Sequence, residues 1–315
     1  MDSLIYSLNA TLPVFLVIVV GYFLKQIGIL NDAFVKTANK FNFVVTLPVL
    51  LFVDLSSTDI IGDFDLSYVL FCAVTTTVVF LGLWLGARLI LKDKSLIGEF
   101  VQAGYRSSAA ILGVAFIENI YGDSGMAPVM IIGCVPLFNI FAVLALTFEG
   151  GKSADGAANI KKSIINIIKN PIIIGIALGA AASLLRIDFP VIIDKTLSSL
   201  AKIASPLALI TIGAGFEGRK AVAKIKPTIA ASMIKLVILP AVFLPIAVRL
   251  GFRDQALVAL LIMLGSPTTP SSYIMAKNMG HEGVLTSSVV VTTTLLSSVT
   301  LTAWIFLMRY FGYII

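Results

Sequence analysis

The residues best placed to hold a solute in this 315-residue chain form one stretch, Gly265-Ser266-Pro267-Thr268-Thr269-Pro270-Ser271-Ser272-Tyr273. It interrupts an apolar run at 256–264 that resumes only briefly at 274–276. Pro267 and Pro270 lack amide donors and leave carbonyls of the preceding turn unpaired. Thr268, Thr269, Ser271, Ser272 and Tyr273 add hydroxyl groups beside them. A helix restarting near 269–271 would aim partly positive amides at an anion without any charged side chain. Arg106-Ser107-Ser108 is a second point of the same kind, because serines can hold a local unwinding by bonding their own backbone. A helix restarting at 108–110 would be a second anion receptor. The planar fork of Arg106 suits a carboxylate. Lys235 lies about nine residues into another apolar stretch, roughly 13 Å along a helix. At that depth it must face a cavity or a partner, either drawing in a carboxylate or bonding freed carbonyls of the broken segment.

Other chemistries find no footing. No His-Glu-x-x-His, aspartate pair or serine–histidine dyad occurs, so neither an enzyme nor a metal site nor a cofactor is expected. Cys72 and Cys134 sit in apolar runs and indicate no disulfide framework. His281 falls in a polar turn and reads as a solvated loop residue. Asp54, Glu118 and Glu217 close apolar stretches, so no acid is expected inside one, which argues against a proton antiporter with paired carboxylates. A coupling ion, sodium or proton, stays unassigned.

The elements that must position these residues are membrane helices. The chain is 58% hydrophobic and only 13% charged, where soluble domains average about 25% charged. Apolar runs of membrane-spanning length recur throughout. Ten spans are predicted, at roughly 4–24, 34–53, 67–90, 101–120, 126–148, 170–187, 191–215, 227–249, 255–277 and 284–308. The prolines and hydroxyls therefore interrupt span 9 and the serines span 4. Non-helical backbone at membrane depth is tolerated only where protein or a watery cavity covers it. The net charge of +6 is placed in short loops and needs no nucleic-acid partner. Lys and Arg number 15 at one set of alternating ends and loops and 5 at the other. That puts both termini outside a plasma (inner) membrane and the mid-chain joint in the cytoplasm.

The joint, at 149–169, contains Gly150-Gly151-Lys152-Ser153-Ala154-Asp155-Gly156. It divides residues 1–148 from 170–315, five spans each, and an odd number makes homologous halves inverted in the membrane. An offset of 158 carries Leu47-Pro48-Val49-Leu50 onto Ser205-Pro206-Leu207-Ala208, and Ser107-Ser108-Ala109-Ala110 onto Gly265-Ser266-Pro267-Thr268. Pro48 and Pro206 are expected to kink spans 2 and 7. Gly82-x-x-x-Gly86 and Gly175-x-x-x-Gly179 are expected to pack closely against neighbouring helices, as are the hydroxyl residues of span 10. Paired interrupted helices in inverted repeats point to a midplane solute site and alternating access.

Three segments carry a family resemblance: Pro267-Thr268-Thr269-Pro270-Ser271-Ser272-Tyr273-Ile274-Met275-Ala276, Tyr105-Arg106-Ser107-Ser108-Ala109-Ala110-Ile111-Leu112-Gly113, and Leu47-Pro48. Together they resemble the auxin efflux carrier family, which includes bacterial malate permease-type proteins, over essentially the whole chain. Ser107 stands where many members carry Asn, and the proline common at the fourth-span crossover is missing. The resemblance implies an all-α membrane protein of ten transmembrane helices in two inverted five-helix repeats, with broken, crossed helices 4 and 9. It implies a scaffold of spans 1, 2, 6 and 7, a moving unit of the others, and carboxylate-bearing solutes.

The expected function is secondary transport of a small organic anion in a lipid bilayer. The expected binding residues are Arg106, Ser107, Ser108, Lys235, Pro267, Thr268, Thr269, Pro270, Ser271, Ser272 and Tyr273. The scaffold leaves room for a homodimer. A sodium-coupled symporter of the bile acid type and a ligand-binding membrane sensor are the alternatives.

Overall fold

The computed structural model describes residues 2–57, 65–109, 117, 120–122, 125–149, 165 and 167–314, with side chains from Leu12 onward. Among these, all regular structure is helical. The helices are α1 (Asp2–Gln26), α2 (Asp32–Ser56), α3 (Leu66–Ile90), α4 (Ile97–Tyr105) and α5 (Ala127–Phe148) in the first half. The second half holds α6 (Pro171–Leu184), α7 (Val191–Ala214), α8 (Ile225–Arg249), α9 (Asp254–Gly265), α10 (Ser271–Asn278) and α11 (Val284–Tyr310). The continuation of span 4 through Ala110, Gly113 and Glu118, and most of the glycine-rich joint, lie outside the described residues.

Six of the described helices (α2, α3, α5, α7, α8 and α11) are long and apolar enough to cross a membrane. The surface supports that solvent. Along α3, Leu66, Leu70, Val74, Val78, Leu81, Leu85 and Leu89 are all exposed, and their spacing of three or four residues draws one outward stripe. A soluble helix turns such a stripe inward; here it suits lipid. The chain is a multi-pass membrane protein.

Close helix packing depends on glycines where backbones touch. A Cβ on Gly213 of α7 would lie 1.9 Å from the Ile18 carbonyl oxygen of α1. One on Gly21 of α1 would lie 2.3 Å from the Ile210 carbonyl oxygen of α7. Gly175 and Gly179 of α6 do the same for α2, at 2.5 Å from the Pro48 oxygen and 2.7 Å from the Phe52 oxygen. These contacts weld α1 to α7 and α2 to α6. The other glycine pair behaves differently: Gly82 and Gly86 of α3 meet nothing within 4 Å. The tight contact expected of them is not made inside the described chain.

Two helices change register midway. α2 passes through a π turn at Asn42–Thr46 and α8 through one at Ile234–Ile238, each followed by Leu-Pro. Proline cannot donate to the carbonyl four residues back, and the wider turn takes up the mismatch. At Pro240 the released Leu236 carbonyl accepts from the Trp304 ring at 3.0 Å. In α11 several buried hydroxyls bond to their own helix, as Ser288 to Val284 at 2.8 Å and Thr293 to Val289 at 2.7 Å, whereas the Thr286 hydroxyl donates to Glu99 of α4 at 3.0 Å.

His281 departs from its expected place in solvent. It is buried, with Nε2 2.9 Å from the Leu146 carbonyl oxygen, because the turn after α10 folds back onto α5. Glu99 of α4 is buried too, and its carboxylate accepts from the amides of Gly283 at 2.8 Å and Thr286 at 3.0 Å. It caps the N-terminus of α11 from another helix.

Candidate functional site

The two interruptions lie against each other. α4 stops at Tyr105 because Arg106 turns to extended backbone (φ −73°, ψ 133°), and α9 stops at Gly265 because Ser266 does the same (φ −76°, ψ 164°). The crossing strands share a hydrogen bond from the Ser108 amide to the Pro267 carbonyl at 2.9 Å. Thr268 ties it on both sides: its hydroxyl donates to the Ala103 carbonyl at 2.7 Å, and its amide donates to the Thr293 hydroxyl at 3.0 Å. Gln102 donates to the Ser272 carbonyl at 3.0 Å.

Lys235 closes this knot. Carried by the π turn of α8, its ammonium is completely buried. It donates to the carbonyls of Leu264 (2.6 Å), Met263 (3.3 Å) and Tyr105 (3.4 Å), and to the Ser107 hydroxyl. These carbonyls belong to the last turns of α4 and α9, which have no intrahelical partners and whose partial negative charge favours a cation. Of the two roles expected for Lys235, the structure displays the bonding of freed carbonyls. Lys235 does not border the cavity described next.

That cavity, of about 60 Å³, opens beside the crossing. A water molecule needs roughly 10–15 Å³ on this measure, so several waters or a small solute fit. One wall comes from α2, α7 and α6: Leu47, Leu50, Leu51 and Asp54 of α2, Ala204, Ser205 and Ala208 of α7, and Ile172 of α6. The opposite wall comes from the breaks and α5: Arg106, Ser107, Ser108, Thr269, Ser271, Phe138 and Asn139 among others. Asn42 pins the first wall by donating to the Ala204 carbonyl at 2.9 Å.

Arg106 is the cation of the site. Its Nη2 donates to Asn139 Oδ1 at 2.8 Å and to the Ser271 hydroxyl at 3.0 Å, and Nη1 reaches the Met275 sulfur at 2.8 Å. The side chain is 2% exposed, yet none of these partners is charged and Nε has no partner at all among the described residues. A buried guanidinium without a carboxylate is costly unless something supplies the negative charge. The site can therefore take an anion, with Asn139 and Ser271 holding the fork in place.

Of the residues expected to bind, Arg106, Ser107, Ser108, Thr269 and Ser271 border the cavity. Thr268, Ser272 and Tyr273 are buried in the crossing, and Pro267 and Pro270 shape it. Pro48 sits at the start of the cavity-facing half of α2, where it abuts Gly175, and Pro206 lies between the cavity residues Ser205 and Ala208. Three polar lining residues were not among those expected to bind: Asn139, whose signal is a lone amide in an apolar run of 22 residues, Ser205 and Asp54. Asp54 lies in the last turn of α2, terminal as expected, and it also borders the cavity.

Residues 6–305 match the family described as membrane transport protein, nearly the whole chain. The chain belongs to that family, as the resemblance to auxin efflux carriers implied. An archaeal relative from Methanothermobacter thermautotrophicus, named "Uncharacterized transporter", is 24% identical over 95% of this chain and 97% of its own. A Rhizobium meliloti protein named "Putative malonate transporter" is 26% identical over 95% and 94%. The Escherichia coli "Uncharacterized transporter YfdV" is 24% identical over 97% and 99%. The match covers at least 94% of each of these three relatives.

Proposed function

We propose that this membrane transporter is a secondary carrier of small organic anions, bound by carboxylate at Arg106 in the cavity beside the crossed breaks. The observation that carries this reading is the buried Arg106 fork, with uncharged partners and an unused Nε. A carboxylate supplies the missing charge and a matching planar acceptor. The name of the Rhizobium relative makes malonate the first solute to try.

The fold belonging to this reading has ten passes in two inverted halves. The helix ends support it: adding 158 to Gln26 and Ser56 gives Leu184 and Ala214, the last residues of α6 and α7. The same shift carries Ile90 to Val248, one residue short of the end of α8. Both termini then lie outside and the joint in the cytoplasm. Solute moves by alternating access: α1, α2, α6 and α7 stay fixed, and the unit holding both breaks rocks past them, with the cavity on the seam. Thr269 and Ser271, at the start of α10, complete the anion cradle.

The test is uptake of malonate, malate, succinate, lactate and indole-3-acetate into proteoliposomes, for wild type and Arg106→Gln. Losing a buried charge partner weakens binding by about 2–5 kcal/mol, or at least about 30-fold. Saturable uptake of one solute, weakened to that degree in the variant, supports the reading. Uptake equally strong in Arg106→Gln overturns it.

A further inference from the structure

A second cavity, of about 370 Å³, lies away from the crossing, at the end of α8 and α11 nearest the C-terminus. It exists because α8 changes neighbours midway. The half before Leu239 packs against α11, whereas the half from Leu239 to Arg249 packs on α9. The Trp304 ring ties α11 to α8 at the Leu236 carbonyl, and beyond that tie the two helices leave a groove between them. Leu244 and Met308, each 4% exposed, make its floor. Pro245 from α8 and Leu307 and Phe311 from α11 rise as exposed sides. Trp304 spends its one donor on Leu236, so its ring offers the groove only hydrocarbon.

One lining group breaks this pattern. Arg249, in the last turn of α8, is exposed and has no hydrogen-bond or ion-pair partner among the described residues. Two more arginines flank the groove. Arg253 donates to the Val248 and Phe252 carbonyls at 2.7 Å and lies over the Tyr313 ring, 5.3 Å from its centre. Arg309 follows the floor residue Met308 on α11. The ends and loops on this side of the chain hold five Lys and Arg in all, and these are three of them. A side that the charge rule leaves poor in cations thus gathers most of its own around one apolar groove. The acid in the connecting turn, Asp254, is engaged within the chain and does not line the groove.

We propose that this groove binds an anionic phospholipid, with one acyl chain lying between α8 and α11 and the phosphate on Arg249. A tail gains little by leaving the bilayer for the groove, because lipid tails are as apolar as the lining. The groove alone therefore chooses no headgroup; the unpaired guanidinium does. Its planar fork matches two phosphate oxygens, and Arg253 and Arg309 add positive charge nearby. A zwitterionic headgroup brings its own cation, which offsets that attraction. The rings of Trp304, Phe311 and Tyr313 suit the level where chain meets headgroup. The groove shares no lining residue with the Arg106 cavity, so the proposal stands whichever solute is carried.

Trp304 lines the groove and serves as its reporter, since the chain has one other tryptophan, Trp84, which Trp84→Phe removes. The full chain in detergent micelles is titrated with phosphatidylglycerol or phosphatidylcholine whose acyl chains carry bromine, which quenches an indole it touches. The expected result is saturable quenching at a lower lipid fraction for phosphatidylglycerol. The attraction of one arginine to an anionic membrane surface amounts to about fivefold in binding, so Arg249→Gln should narrow the gap by that factor. Lys195→Gln, which removes an exposed cation on α7, should leave it unchanged. Equal quenching by both lipids in wild type overturns the proposal, as does an undiminished gap in Arg249→Gln. A loss just as large in Lys195→Gln overturns it too, because the preference then follows net charge. Glycerol phosphate should not displace the lipid; displacement at matched concentration means a headgroup site without a chain and overturns the groove. Should Trp84→Phe misfold, native mass spectrometry of chains that keep Trp84 makes the same comparison of lipids and variants.

Discussion

Lys235 distinguishes a brace from a binding group by the sign of one measurement. If its ammonium holds the two helix ends together, Lys235→Met must destabilise the protein with no solute present. The substitution keeps the length of the side chain and leaves the Leu264, Met263 and Tyr105 carbonyls and the Ser107 hydroxyl without that donor. The contact at 2.6 Å and the one to Ser107 carry most of the energy, and the two beyond 3.2 Å carry less. A hydrogen bond to a charged group contributes about 1.5–3 kcal/mol, and removing a buried charge returns part of its desolvation cost. The net loss is about 2–4 kcal/mol. Unfolding entropy near 2.1 cal/mol/K per residue gives about 0.7 kcal/mol/K for 315 residues. The melting temperature should therefore fall by about 3–6 °C. Thermal unfolding of the purified, solute-free variant followed by tryptophan fluorescence reads this directly. A group kept for substrate gives the opposite sign, because deleting an unpaired buried cation relieves the empty protein. A variant that melts at or above the wild-type temperature while losing carboxylate affinity refutes the brace.

Two further outcomes follow from local geometry. Gly213→Ala places a methyl 1.9 Å from the Ile18 carbonyl oxygen, and overpacking of this kind costs about 1–3 kcal/mol; a lower melting temperature or loss of folded protein on size exclusion checks it. Glu282 is hydrogen-bonded by Lys224, which holds its carboxyl below the usual range. A depressed acid stabilises above its unfolded value, about 4.3, and loses that contribution as pH falls through the lower folded value. Glu282 is 58% exposed, so the coupling in a Lys224→Ala/Glu282→Ala cycle should be below about 1 kcal/mol at pH 7 and vanish near pH 3.

The breaks were legible because proline pairs and clustered hydroxyls act locally. Pro267 and Pro270 remove two amide donors within one turn, amid hydroxyls that can bond the backbone in their place, and Arg106 announces itself as a charge in an apolar setting. Which way a side chain points is a different kind of information. Helical periodicity predicts direction only while the turn stays at 3.6 residues, and a π turn inserts one extra residue. Asp54 lies beyond the π turn of α2, and Lys235 lies within that of α8. Counting along the chain therefore placed Asp54 correctly at the end of its helix but not beside the cavity, and left Lys235 open between cavity and carbonyls. His281 and Glu99 were missed for a tertiary reason, since their partners Leu146, Gly283 and Thr286 are 135 or more residues away.

The same register shift explains how one site accommodates two deep cations. Lys235 is a compact point charge with rotatable donors, suited to gathering backbone carbonyls from several directions. Arg106 is a planar fork, and Asn139 and Ser271 occupy Nη2 while Nε stays unused. Exchanging the roles would fail: an arginine at 235 would need flat, paired acceptors, whereas the helix ends offer scattered carbonyls. A lysine at 106 could not bond Asn139 and present a second edge to a carboxylate. The division leaves the crossing rigid on the Lys235 side and chargeable on the cavity side. The proposed carriage of an anion by a moving unit would draw on both properties.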